Sequence, residues 1–426
     1  MEEGVIKRGV YLPRFADARV ESLVNAGSSV FVTGPRSCGK TTTASRYVQT
    51  IWHLDDAAQR AALAGSTDAI LQAQRSPVLI DKWQLLPDVL SAVKRTVDRL
   101  DNRLTFLITG SVRARLATPS WPLTGRAVDI GMTGLAMAEV VGRLDAARWI
   151  DWVFSDEPPA ASSLVDAPTV IDYAMLATLG GFPGALSSRT GSDRQDWFDG
   201  YLMNLVSRDV PEIADVGNTG GLRLLLRAVA ANTAGLPSLS TLFTAAGLDT
   251  KTGRRYLDIL EDLRVIERIP AWSANSFKRL VKTPKYYVVD SGIAARLRQE
   301  TAASLQRDGN AIGRLIDTFV VSQVRPLLNL GVTRAAPYHL RDGNGEHEVD
   351  LLLQSDSGDI VGIEIKASAT PVSRDARHLI WLQDQLPDRF RRGVVFHTGA
   401  MTYPLGERIW AVPIASLWHP EQWQAL

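Results

Sequence analysis

The sequence predicts an α/β protein built in three units, and three observations predict it. A glycine-rich turn, Gly34 to Thr41, lies between a short apolar run (Val30 to Val32) and a helix-compatible run (Thr42 to Val48). Between 222 and 290, three stretches of helical spacing precede two strand-like runs. Toward the carboxyl end, an acid and an E-x-K triplet fall on two apolar runs separated by Asp356-Ser357-Gly358. The units are expected at 1–195, 196–300 and 301–426.

Composition bounds the class. Of 426 residues, 45% are hydrophobic and 22% charged, which is ordinary for a globular chain long enough to bury several cores. No apolar run reaches the roughly 18 residues of a membrane span, so no membrane partner is expected. The opening Met1-Glu2-Glu3-Gly4 is acidic and has no apolar core, which argues against a signal peptide. A single cysteine, Cys38, excludes an internal disulfide and a cysteine-based zinc site. A cytoplasmic address is expected. The net charge of +1 says nothing about nucleic acid, so that question is decided locally.

The glycine-rich turn matches G-x-x-x-x-G-K-[ST] in full and is a P-loop. Gly34 and Gly39 permit the tight turn, and the loop Gly34, Pro35, Arg36, Ser37, Cys38, Gly39 leads into a helix starting with Lys40, Thr41 and Thr42. Main-chain N–H groups and the helix start then face phosphate oxygens. Lys40 would reach the β- and γ-phosphates, and the Thr41 hydroxyl would ligate Mg²⁺. The expected cofactors are ATP and Mg²⁺. Cys38 lies beside Lys40 and a helix start, a setting that favours a reactive thiolate shielded by ATP; the plainer reading is a small filler residue.

Pro77 to Asp81 reads as a buried parallel strand ending in a carboxylate, which sets Asp81 to hold Mg²⁺. The next residue is Lys82, and a protonated ammonium cannot act as a base. A third strand runs from Leu104 to Ser111, with Thr109 or Ser111 expected near the γ-phosphate or the attacking water. Arg113 and Arg126 are candidates to stabilise phosphate charge, in cis or from a neighbouring subunit, and the second route implies a homo-oligomer.

These motifs carry a resemblance. The order of P-loop, Ile80-Asp81-Lys82-Trp83-Gln84 with Pro87, Ile108-Thr109-Gly110-Ser111 and Leu123-Thr124-Gly125-Arg126 looks like the prokaryotic AAA-family ATP-binding proteins. Those proteins carry a winged-helix segment and a restriction-endonuclease-like C-terminal domain, long labelled as being of unknown function. The resemblance implies an AAA-type fold for the first unit and covers most of the chain. Lys82 departs from it, since Glu is common there and orients or deprotonates water. The departure puts turnover in question rather than binding.

Residues 135 to 195 are mixed, with breaks at Glu157-Pro158-Pro159 and at Gly180 to Gly184, and Trp197 to Val210 reads as a packing helix. Leu222 to Ala231, Ser240 to Ala246 and Thr250 to Leu263 then read as helices, and Val265 to Ile269 and Tyr286 to Asp290 as strands. Three helices and a two-stranded wing make a winged helix-turn-helix. Its third helix would present Lys251, Arg254 and Arg255. From 251 to 285 nine basic residues, including Arg264, Arg268, Lys278, Arg279, Lys282 and Lys285, outnumber four acids, which points to DNA phosphate. A purely architectural or protein-binding wing is the alternative.

In the last unit, a three-residue loop at 356–358 pairs 355 with 359, and hence Asp350 with Glu364, roughly 5 Å apart at Cβ. Alternation puts Ile363 and Ile365 on the core face and Glu364 with Lys366 on the other. Two such carboxylates repel unless a divalent cation bridges them. The pattern resembles the PD-(D/E)-x-K nucleases, in which the two acids hold Mg²⁺ and the lysine positions or activates water. Asp317, on an upstream helix, matches the place of a further acid in that family, and His347 and Glu348 lie beside the set. An ion-paired hairpin in an inactive nuclease fold is the structural alternative. Two functions follow: an ATP-controlled, metal-dependent DNA-cleaving enzyme, or a nucleotide-switched DNA- or protein-binding regulator with little turnover.

Overall fold

The structure is a computed structural model that describes residues 5–99, 104–110, 122–159, 163–213, 216–273, 283–328, 330–342 and 345–422. Thirteen strands, β1 to β13, form three sheets among these residues. The first sheet joins β1 (Ser29–Thr33), β2 (Thr50–His53), β3 (Val78–Asp81), β4 (Phe106–Gly110) and β5 (Ala127–Gly131). All its pairs are parallel, in the order β2-β3-β4-β1-β5. Every residue of β1, β3 and β4 is buried, as expected of strands covered on both faces. Parallel register gathers the carboxyl ends: Asp81 is level with His53 and Thr109, and Thr33 with Gly110.

A run of helices follows. Thr219–Ala231, Leu239–Ala245 and Thr250–Asp262 are each capped at the amino end, by Asn218, Ser238 and Asp249, whose side chains accept from main-chain N–H groups. β6 (Ile266–Ile269) and β7 (Lys285–Val288) then form an antiparallel pair. The bases Lys278, Arg279 and Lys282 lie outside the described residues.

The last sheet contains β8 (Ala335–Arg341), β9 (Glu348–Ser355), β10 (Ile360–Ile365), β11 (Phe390–His397), β12 (Tyr403–Gly406) and β13 (Ile409–Pro413), in the order β12-β13-β11-β10-β9-β8. β9 and β10 pair in the register read from the loop length, with Ile360 opposite Gln354 and Ile363 opposite Leu351. One step further along that register stand Asp350 and Glu364. Helix Arg377–Gln385 covers one face through Leu379 and Leu382, and helix Gly309–Val324 covers the other through Leu315, Ile316 and Phe319. The core runs across the expected unit boundaries. Trp149 stacks on Phe396 at 6.0 Å, and the Ala415 N–H donates to the Tyr173 hydroxyl at 2.9 Å.

Candidate functional sites

The turn after β1 closes against its neighbour by steric necessity. A Cβ on Gly34 would stand 2.3 Å from the Met132 carbonyl oxygen, so no other residue lets the loop pass there. Gly39 has φ +105° and precedes helix Lys40–Ala44. Beside it, the buried Arg14 donates to the Cys38 carbonyl at 2.8 Å and the Thr133 carbonyl at 2.9 Å, and pairs with Glu139 at 3.1 Å. Glu139 also accepts from Phe15 N at 2.6 Å and Ala136 N at 2.8 Å. One guanidinium thus ties the loop to the segment that follows β5.

Lys40 is buried, and its ammonium donates to the Pro35 carbonyl at 2.7 Å. Burial holds its pKa below the ordinary lysine value, and Arg264 and Arg36 push the same way against Cys38 and Asp81. Crowded cations of this kind suit a polyanion. The Thr41 hydroxyl donates to Asp81 Oδ1 at 2.8 Å, and Thr109 donates to the same oxygen at 2.6 Å. His53 Nδ1 stands 3.5 Å from Asp81 Oδ2. A cavity of about 170 Å³ is lined by Lys40, Thr41, Asp55, Asp81 and Lys82, and one of about 440 Å³ by Tyr11, Leu12, Arg14, Gly39 and Thr42. The donors present fit a triphosphate with Mg²⁺: a hydroxyl and a carboxylate already on one axis, and a buried ammonium facing a main-chain carbonyl.

Several expected residues stand elsewhere. Ser111 and Arg113 lie outside the described residues, and Thr109 is the side chain of β4 that meets Asp81. Arg126 cannot reach the loop in its own chain. Ala127 pairs with Ser29, so Arg126 sits at the amino end of the sheet, where it pairs with Asp98 at 2.7 Å. The full length of β1 separates it from the loop, roughly 16 Å at the rise of an extended strand. The Cys38 side chain is fully buried in the core against Gly34, which favours the small filler residue over the reactive thiolate. Lys82 is ion-paired with Asp55, just beyond the end of β2. Its φ of +58° turns it out of the strand. Tyr11, Arg14 and Asp55 were not found from the sequence; a lone residue on a loop carries no periodic signal.

The second candidate site lies where β7 meets β9, β10 and helix Gly309–Val324. Lys366 pairs with Glu364 at 2.7 Å, and the Ile365 N–H donates to Asp350 Oδ2 at 3.1 Å. Lys285, counted among the wing's DNA-facing bases, is instead fully buried here. Its ammonium donates to Asp350 Oδ1 at 3.1 Å and stands 3.6 Å from Asp317 Oδ2, while the Tyr287 hydroxyl donates to Asp317 Oδ1 at 3.0 Å. Burial alone would discharge Lys285, but Tyr287, Asp317 and Asp350 hold its pKa well above the ordinary value. Burial raises Asp317 to about 7 and Glu364 to about 8.

A divalent ion does not fit this arrangement. Lys285 already occupies the Asp350 carboxylate, and Lys366 pairs with Oε2 of Glu364. Among the described residues, the groups of three or more His, Asp and Glu side chains close enough to share an ion are His53 with Asp55 and Asp81, and Asp342 with Glu346 and His347. His347 stacks on Trp381, and its Nδ1 stands 3.4 Å from His378 Nδ1. Of the nine bases counted between 251 and 285, Lys285 is therefore not on the surface. Arg268 is paired with Asp258 and Glu261. Lys251, Arg254 and Arg255 are exposed on helix Thr250–Asp262. No described helix is long and apolar enough to cross a membrane.

Comparison with known proteins bears on the amino-terminal sheet and its loop. Residues 27–141 match the family described as an AAA domain. Residues 171–304 and 312–417 match two domains of unknown function, DUF8612 and DUF4143. Two uncharacterized proteins, Rv2008c of Mycobacterium tuberculosis and Mb2031c of Mycobacterium bovis, are each 28% identical over 408 residues, 94% of this chain and 83% of theirs. Among solved structures, the Walker-type ATPase PABY2304 of Pyrococcus abyssi is 14% identical, with 68% of this chain and 97% of that one covered, at a TM-score of 0.42. The replication initiator DnaA bound to AMPPCP and single-stranded DNA is 15% identical, with 59% and 90% covered, at 0.27. Residues 27–141 are similar to AAA-type P-loop domains.

Proposed function

We propose that the protein is an ATP-binding switch: a P-loop unit of slow turnover, joined through a winged-helix segment that contacts DNA to a nuclease-like unit held inactive. The observation that carries the reading is the pair Thr41 and Asp81, joined at 2.8 Å beneath the buried Lys40. In it Lys40 would neutralise the β- and γ-phosphates while Thr41 and Asp81 hold Mg²⁺, which when bound supplies charge neutralisation between those phosphates. Slow turnover rests on Lys82. It stands beside Asp81 where a general base is wanted, and its ammonium is bound to Asp55, neutralising the nearest further carboxylate.

Phosphate release under saturating Mg·ATP tests this. Lys82→Glu is expected to release phosphate at least about tenfold faster than wild type, the low end of what a positioned acid–base group contributes being roughly a hundredfold. Wild-type turnover equal to or above that of Lys82→Glu would show that Lys82 restrains nothing. DNA contact rests on the exposed Lys251, Arg254 and Arg255 of helix Thr250–Asp262. The reading as a cleaving enzyme is set aside because both acids of the β9–β10 pair already carry ammonium partners.

A further inference from the structure

We propose that Lys285 is a built-in counter-cation that closes the acid cluster of the C-terminal unit to divalent metal in the full chain. The proposal rests on the nuclease-like reading only for what the cluster would otherwise hold. Lys285 comes from β7, outside the sheet that carries Asp350 and Glu364, yet its ammonium stands 3.1 Å from Asp350 Oδ1 and 3.6 Å from Asp317 Oδ2. Lysine is almost never fully buried unless paired, and here the partners are the acids that would ligate the ion. Three carboxylates thus face two ammonium groups. A dication placed among them would sit beside a fixed positive charge in a medium that screens poorly.

The lysine is also anchored. Tyr287, on the same strand, donates to Asp317 at 3.0 Å. Lys285 pairs in register with Ile269 of β6, and Glu267 of that strand accepts from Arg325 Nε at 2.9 Å. Trp272 N donates to the His339 carbonyl at 2.6 Å, and His339 Nε2 meets the Thr283 carbonyl at 3.0 Å. The strand pair that carries the ammonium is therefore tied to β8 and to Arg325. Glu364 holds Lys366 through Oε2, and its Oε1 is buried without a hydrogen-bond partner.

The test is Mn²⁺ binding to the nucleotide-free full chain, counted by equilibrium titration with paramagnetic detection. Wild type and Asp350→Asn are expected to bind Mn²⁺ alike. Lys285→Met is expected to gain one site, at least roughly tenfold tighter than any in wild type, which disappears in Lys285→Met with Asp350→Asn; Lys285→Arg should behave as wild type. An Asp350-dependent site in wild type overturns the proposal, as does a folded Lys285→Met with no gained site. Should Lys285→Met fail to fold, the comparison of wild type with Asp350→Asn decides alone. Plasmid nicking is scored separately: a gained metal site without nicking removes the nuclease-like reading and leaves the role of Lys285 standing.

Discussion

Single residues decide how the nucleotide loop is held, and Glu139 is one of them. It accepts from Arg14, Phe15 N and Ala136 N, and both it and Arg14 are buried. Removing one partner of a buried ion pair strands the other, so Glu139→Ala should lower unfolding free energy by about 3–5 kcal/mol, read by denaturant titration. A loss below about 1 kcal/mol would mean that water reaches Arg14. Gly34→Ala should abolish nucleotide binding in a protein that still folds elsewhere, because its methyl group would overlap the Met132 carbonyl. At this scale the sequence was readable where residue type and spacing encode the chemistry, as in Gly34, Lys40, Thr41 and Asp81. It was unreadable for Lys285, because a basic residue at the start of a strand looks the same whether it faces water or three carboxylates. Lys82 was legible as an anomaly, but its pairing with Asp55 depends on a strand end far upstream.

Elements were legible in proportion to how local their determinants are. The β9–β10 register followed from a three-residue loop, and the buried strands β1, β3 and β4 from unbroken apolar runs. The misplacement of Arg126 came from a non-local fact: β5 runs parallel to β1, so the residue before it starts at the far end. Helix Thr250–Asp262 exposes Lys251 and Arg254 while Tyr256 and Leu257 are buried. Replacing both bases by Ala should weaken DNA binding across all sequences and reduce the salt slope by about 2, one for each phosphate no longer neutralised. An unchanged slope would assign the wing to architecture. A pH effect belongs to the end of β11. His397 is buried, its Nε2 meets the Met401 carbonyl at 3.0 Å, and Gly399 N donates to its Nδ1 at 3.0 Å. Burial lowers it to about 4. Between the ordinary value and about 4 the unfolded chain takes up a proton that the folded one refuses, so stability is present above about pH 6.5 and falls as pH drops toward 4. Thermal denaturation should show this fall flattened in His397→Gln.

Across the whole molecule, the three units read from the sequence share more than the sequence could say. Trp149 and Tyr173, placed with the first unit by position, rest on Phe396 and Ala415 of the last, and Arg36 of the nucleotide loop is bound to Asp209. Such pairings join residues far apart in the chain and leave no periodic trace. Arg36 also ties the loop to the helical segment, and nucleotide capture is the property from which the proposed roles are built. Calorimetric titration of Mg·ATP into wild type and Lys40→Ala tests it most directly. One site is expected in wild type, weakened at least about tenfold in Lys40→Ala. No uptake by wild type, or the same affinity in both proteins, would contradict it.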